Sequence, residues 1–326
     1  MRLLAVELNR FRSRRAIVLL ALAALLTAVV LAGMTAWNTR PLTQEDRADA
    51  AAQADLEGQR SEIRREVAAC RAAPQDYLGP SAQPADCADA LVPGPEAYYP
   101  REPLDLRRAM SPRGGGLGLP LGLIVAGLMV IAGCTFAGAD WSSGSMTNQL
   151  LFEPRRGRVW LTKAAAVTLG SGLVALVALA GFWLALGLVA AARDVAVPGA
   201  QVERIAWHVL RAVALAMGAA LGGFALTMVF RHTVAALALL FVYSIGGEIV
   251  VNLLPVEGAQ RWSLGTNSLG WLAVRFRYVD STVSCVPGER CTSTQTLTHL
   301  EAGTFLGVLL LLASVVSLLW FRRHDV

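Results

Sequence analysis

Hydrophobic positions in this chain are gathered into six long runs, and the segments between them hold nearly all of the charge. The runs are 16–37, 117–138, 164–192, 206–230, 233–254 and 302–321. A helix needs roughly 20 mainly apolar residues to cross a bilayer, and each run meets that length. The run 164–192 exceeds it and is expected to tilt or to extend past the hydrocarbon. The run 206–230 carries His208 and Arg211 and is the most polar of the six. The expected fold class is an all-α polytopic membrane protein with six transmembrane helices.

The polar segments have patterns of their own. Residues 1–15 place Leu3, Leu4, Leu8 and Phe11 at about helical spacing among Arg2, Glu7, Asn9, Arg10 and Arg12. That pattern predicts a short interfacial helix leading into the first span. Residues 38–116 form the longest hydrophilic stretch. Its part 43–71, rich in Ala, Glu, Gln and Arg, reads as helix. Pro74, Pro80, Pro84, Pro93, Pro95, Pro100 and Pro103 then predict a loop-rich section, with another helical turn or two at 104–110. Residues 255–300 carry Trp262, Trp271 and Tyr278, aromatics suited to the headgroup level. Thr298 and Glu301 have capping-box spacing where the last span begins.

Composition strengthens the membrane reading, with 55% hydrophobic against 16% charged residues and a mean hydropathy of +0.49. Basic residues near the span ends set the orientation. With both termini inside, the cytoplasmic side carries twelve basic and four acidic residues, and the remaining 17 basic and 20 acidic residues lie outside or in the membrane. The first run is too long for an ordinary signal-peptide core and no A-x-A site follows it, so it is expected to be retained. One lysine against 28 arginines, with abundant alanine, suggests a high-GC bacterial genome, hence a bacterial cytoplasmic membrane.

Four of the five cysteines fall in the segments expected outside, where disulfides persist. Cys285 and Cys291 flank a Pro287-Gly288 turn, which makes bridging that pair easy. Cys70 and Cys87 are a plausible second bridge. Cys134, within the second run, reads as a small core residue.

Candidate chemistry concentrates between the second and third runs, in residues 139–163. A short helix fits 145–152, with Ser143 or Gly144 near its N-cap and Pro154 ending it. Met146, Gln149, Leu150 and Phe152 offer a mixed apolar and polar surface suited to docking on a soluble partner. Arg155, Arg156, Arg158 and Lys163 mark the bilayer boundary.

This stretch resembles the ABC-2 type permeases, the transmembrane subunits of ABC exporters. That family carries a Gly-acid-aromatic-x-x-Gly-(Ser/Thr) run after its second span, a short coupling helix, Pro-Arg-(Arg), and a Lys opening the third span. Here the matching residues are Gly138, Asp140, Trp141, Ser143, Gly144 and Ser145, then Pro154, Arg155 and Arg156, then Lys163. The chain departs from the pattern by one extra residue before Asp140 and by Ser145 where Thr is common. The ending Phe321-Arg322-Arg323-His324-Asp325-Val326 also looks like the family's basic-Asp closing signature. The resemblance implies that the loop docks in a cleft of an ATP-binding cassette ATPase. It implies two ATPase copies, a second permease chain, identical or different, and ATP with Mg held on the ATPase.

No P-loop is present, because the one lysine, Lys163, follows Thr162. His208, His232, His299 and His324 are scattered without metal-ligand spacing. No catalytic site, cofactor or nucleic-acid partner is therefore expected in this chain, which is surrounded by membrane lipid. Two other readings are a membrane-embedded lipid- or glycan-modifying enzyme and an ion-coupled secondary transporter. The first needs clustered acid, His or Ser groups at one membrane face, and the second usually shows inverted repeats. Neither feature is evident. His208, Arg211 and Glu248 fall within the apolar runs, and Arg211 and Glu248 share a depth near the outer surface, about 8–9 Å in. They are expected to form either a salt bridge or a polar route to the outside.

Overall fold

The computed structural model describes residues 2–111, 116–253, 256, 258–280 and 294–323. In chain order its helices are α1 (Arg2–Ser13), α2 (Arg15–Asn38), α3 (Gln44–Gly58), α4 (Ser61–Ala72), α5 (Pro74–Leu78), α6 (Asp86–Leu91), α7 (Leu106–Ala109), α8 (Gly118–Ser142), α9 (Ser145–Phe152), α10 (Arg156–Ala192), α11 (Gly199–Phe230), α12 (Thr233–Val242), α13 (Glu248–Leu253), α14 (Leu264–Ala273) and α15 (His299–Arg323). A π-helical turn, Tyr243–Gly247, joins α12 to α13. Strands β1 (Arg275–Val279) and β2 (Thr294–Thr298) pair antiparallel, with Phe276 opposite Leu297. This small hairpin, inside a segment read from sequence as loop, is the one departure from all-helical structure among the described residues.

Six helices are long and apolar enough to span a membrane: α2, α8, α10, α11, α12 continued to Val251, and α15. That is the architecture of a multi-pass membrane protein. Two begin about two turns before their apolar runs, α10 at Arg156 and α11 at Gly199. Hydropathy marks where lipid contacts a helix, whereas backbone hydrogen bonding carries the helix on into polar sequence. With 37 residues, α10 is about 55 Å long at 1.5 Å per residue. The fifth span was expected to be continuous. The π-helical turn at Tyr243–Gly247 interrupts it where Gly246 and Gly247 weaken the regular helix.

The chain divides into two compact units. One comprises 34–105 and 192–195. Here α3 opens on a capping box in which the Thr43 hydroxyl accepts from the Asp46 amide and the Asp46 carboxylate accepts from the Thr43 amide. The Thr43 amide and hydroxyl, with Arg101 and Arg40 nearby, hold the Asp46 carboxyl below its ordinary value. The helix read at 43–71 is broken into α3 and α4, after Gly58. A Cys70–Cys87 disulfide, the second of the two bridges weighed from sequence, ties α4 to α6. Cys285 and Cys291 lie outside the described residues, as does the tail 324–326.

The other unit takes the described residues of Met1–Gly33, Leu106–Ala191 and Ala196–Val326. Its centre is the pair α8–α11, and α8 is the most buried of the spans. Small residues bring these two backbones together. A methyl group on Gly133 would stand 2.0 Å from the Ala220 carbonyl oxygen, and one on Gly223 would stand 2.5 Å from that of Val130. Cys134 fills the same contact and its thiol donates to the Gly223 carbonyl at 3.4 Å. Without a hydrophobic drive between helices in lipid, such close van der Waals approach is what holds them. At the far end α15 starts on the expected box, in which the Thr298 amide donates to Glu301 at 3.0 Å.

The glycine contact is testable against a control on the same helix. Gly133→Ala should lower the thermal midpoint of the detergent-solubilised chain, with an overpacking cost of about 1–3 kcal/mol. Gly127 has nothing within 4 Å of the position a Cβ would take. Gly127→Ala should therefore be neutral or stabilising through helix propensity. Equal midpoints for both variants would contradict the close-packed interface.

Candidate functional site

Helix α1 places Glu7, Arg10 and Phe11 at i, i+3 and i+4, on one face, and Arg14 follows directly after the helix. That face is turned inward. Glu7 and Phe11 are buried, and the Phe11 ring lies 5.6 Å from that of Phe136 on α8. From α10, Lys163 reaches the same place and is fully buried. Its ammonium donates to Glu7 Oε2 at 3.0 Å and to Asp140 Oδ2 at 2.5 Å. Asp140 lies in the last turn of α8, where an acid opposes the helix dipole and needs cationic partners. Arg14 pairs with its other oxygen, Oδ1, and the Ser145 hydroxyl donates to that oxygen at 2.9 Å.

The second carboxylate is equally well satisfied. Glu7 Oε1 accepts from the Gln149 amide at 2.8 Å and from Arg10 at 3.2 Å. Phe136 forms the floor, with Lys163 Nζ 5.5 Å and Arg14 Cζ 4.9 Å from its ring centroid. Arg14 also donates to the Phe136 carbonyl at 2.7 Å. Glu7 and Asp140 thus balance Lys163 and Arg14, with Arg10 at the rim. Burying charge costs more than attraction returns unless the remaining donors and acceptors are paired, and here they are paired. The cluster joins four elements: α1, α8, α9 and α10.

Helix α9 coincides with the short helix expected at 145–152. It starts after Gly144, whose φ of 68° is left-handed and suits glycine, and it ends before Pro154. Its faces differ from the sequence expectation. Met146 was expected on a partner surface but is fully buried, Gln149 is committed to Glu7, and Leu150 is half-buried. Asp140 too lies inside. The cluster pulls one face of α9 inward, so the opposite face is exposed. There Thr147 and Asn148 are exposed, Leu151 is 77% exposed and Phe152 91%. Leu151 was not singled out from sequence, because two helical turns do not reveal which face turns inward.

The remaining residues frame this core. Trp141 meets Phe321 of α15 edge-on at 6.2 Å, and Arg231 stands over its ring at 4.9 Å. Ser143, Gly144, Pro154 and Arg155 are exposed and Arg156 is half-buried. Gly138 packs against Thr233, leaving no room for a side chain. Lys163, read from sequence as a boundary marker, is instead the centre of the cluster. Glu7 and Arg14 were counted only as surface charges. The spacing of Glu7, Arg10 and Phe11 on one face of α1 is the local feature that sets Glu7 inward, and it does not name its partners.

His208, Arg211 and Glu248 lie away from this cluster. His208 is buried against Trp183, with ring centroids 5.9 Å apart. Among the described residues Arg211 and Glu248 form no salt bridge. The Glu248 carboxylate is held at the start of α14 by the Ser263 hydroxyl at 2.6 and 2.7 Å and by the Gly265 amide at 3.0 Å. Equal depth along two helices does not make two side chains face each other, and Glu248 has nearer donors. The described residues hold no group of three or more metal-ligating side chains. No family model matches the chain, and no curated protein or solved structure matches it.

Removing the shared cation should be the costliest single change in the cluster. Lys163→Met removes the one fully buried cation shared by both carboxylates, leaving Asp140 to Arg14 and Glu7 to the partly exposed Arg10, a loss on the order of 3–5 kcal/mol. Glu7→Gln should cost less, and the triple variant with Asp140→Asn added to both should recover much of the loss. Thermal unfolding of the four proteins in one detergent checks the order. A Lys163→Met variant as stable as the parent would refute the pairing.

Proposed function

We propose that this chain is the permease subunit of an ATP-binding cassette exporter, with α9 as the helix that docks on a separate ATPase. In this reading both termini and α9 face the cytoplasm of a bacterial cell. Two ATPase subunits supply ATP and Mg chemistry, and two permease chains form the path. A small molecule, peptide or lipid is the cargo.

The observation that carries the reading is the exposed end of α9. Leu151 and Phe152 are large apolar side chains left almost fully uncovered on a short helix between two candidate spans. Such anchors are what a protein partner's cleft takes up. The opposite face of that helix is tied through Ser145 and Gln149 to Asp140 and Glu7. A push on α9 therefore meets a rigid, charged joint that reaches α8 and α10 together. This is a lever suited to alternating access. The basic bias of the ends bearing α1, α9 and the last turn of α15 supports the orientation. The sequence motif around Asp140 and Pro154 supports the class of partner.

Leu151→Glu with Phe152→Glu puts two carboxylates on the exposed face without disturbing the cluster. The variant should insert and unfold like the parent, yet lose a co-purifying P-loop ATPase when the tagged chain is isolated from its own host. If the parent carries no such ATPase, or the variant carries as much of it, the proposal fails.

A further inference from the structure

Between α8, α11, α12 and α15, with α14 across one end, lies a cavity of about 770 Å³. Its volume is in the range of small-molecule sites, roughly 300–1,000 Å³. Its wall is nearly all aliphatic or glycine, including Leu123, Leu215, Gly218, Gly222 and Leu310. Along α11 it runs from Ala214 to Leu226, about 18 Å by helical rise. Elongated and apolar, it suits an alkyl chain. Tyr243, from the π-helical turn, lines it, and turns of that kind often mark functional positions.

Arg211 does not line this cavity but lies one turn of α11 before its end at Ala214 and Leu215. Arg211 precedes Leu215, Gly218 and Gly222 by four, seven and eleven residues, so it shares their face of α11. Trp271 lines the cavity and its indole N–H donates to the Arg211 carbonyl at 2.8 Å. No carboxylate pairs with this guanidinium among the described residues, and its buried Nε has no hydrogen-bond partner. An arginine in a candidate span without a counter-ion is costly unless something anionic meets it. We infer that the cavity binds a single-chain amphiphile with an anionic head, its chain along the Leu215–Gly222 face and its carboxylate or phosphate at Arg211. Four helices and α14 of one chain wall the space, which is half-open, and its volume suits a small molecule rather than a second protein. The site stands whether or not an ATPase drives the chain.

The test uses the full chain alone, in phosphatidylcholine nanodiscs, with three diazirine probes of one chain length: a fatty acid, an alkyl phosphate and the uncharged alcohol. Either anion should label cavity peptides saturably and more tightly than the alcohol, and the stronger of the two identifies the head. Arg211→Gln should weaken the anion about tenfold or more, the scale of one charge-assisted hydrogen bond, and leave the alcohol unchanged. At Gly222 an added Cβ would meet only Leu310, at 3.8 Å. Gly222→Leu should therefore fill the cavity and block all three probes. If that variant elutes as aggregate, the Arg211→Gln comparison decides alone. Three outcomes overturn the inference: equal labelling by acid, phosphate and alcohol; unsaturable labelling spread along the lipid-facing helices; and a cavity left unlabelled because a second copy covers it.

Discussion

The Lys163 ammonium, fully buried between Glu7 and Asp140, is the interaction on which the α9 end of this protein depends. A lone lysine there would be expelled or neutralised, and either carboxylate alone would be as costly. Together with Arg14 they form a balanced set whose hydrogen bonds are filled by Ser145, Gln149 and a backbone carbonyl. Such a set returns little net stability but tolerates only one arrangement. It fixes the register of α1 against α8 and α10, and it fixes which face of α9 looks inward. The exposed Leu151–Phe152 edge is a consequence of that choice.

Away from the charges, close packing takes over. Helices α8 and α11 meet through Gly133 and Gly223, with backbone against backbone and little room for adjustment. Asp140 thus links the α9 end to α8, and α8 meets α11 through a contact with little room to compress. The cavity borders this contact, lined by Val130 and Gly223 themselves and walled also by α12 and α15, which are the least buried spans. The tight contact and the open space share α8 and α11. Movement of α11 against α8 would be costly, whereas movement of α12 would be cheap.

Much of this was legible in the sequence, because bilayers impose long apolar blocks and those blocks stand out. Helix α9 was legible as well, since Gly144 and Pro154 punctuate it and its residues between are helix-compatible. The two short strands were hidden by a segment whose polar, aromatic composition suits a loop equally well. The Lys163 cluster was hidden for a different reason. Its partners are 156 and 23 residues apart in the chain, and no local pattern encodes pairing over such separations. Likewise, helical rise gives a position along the axis for Arg211 and Glu248 but no azimuth, and Ser263 and Gly265 hold the carboxylate. Met146 shows the same limit on a smaller scale: an eight-residue helix with mixed faces does not declare its inner side.

One buried cation holds α1 and α9 to the same joint. Hydrogen–deuterium exchange of the full chain in nanodiscs reads this directly, comparing the parent with Lys163→Met. Amides of α1 and of α9 should lose protection together in the variant, while those of α11 across the Gly133–Gly223 contact keep theirs. Faster exchange in α1 with α9 unchanged, or no change in either, would contradict it.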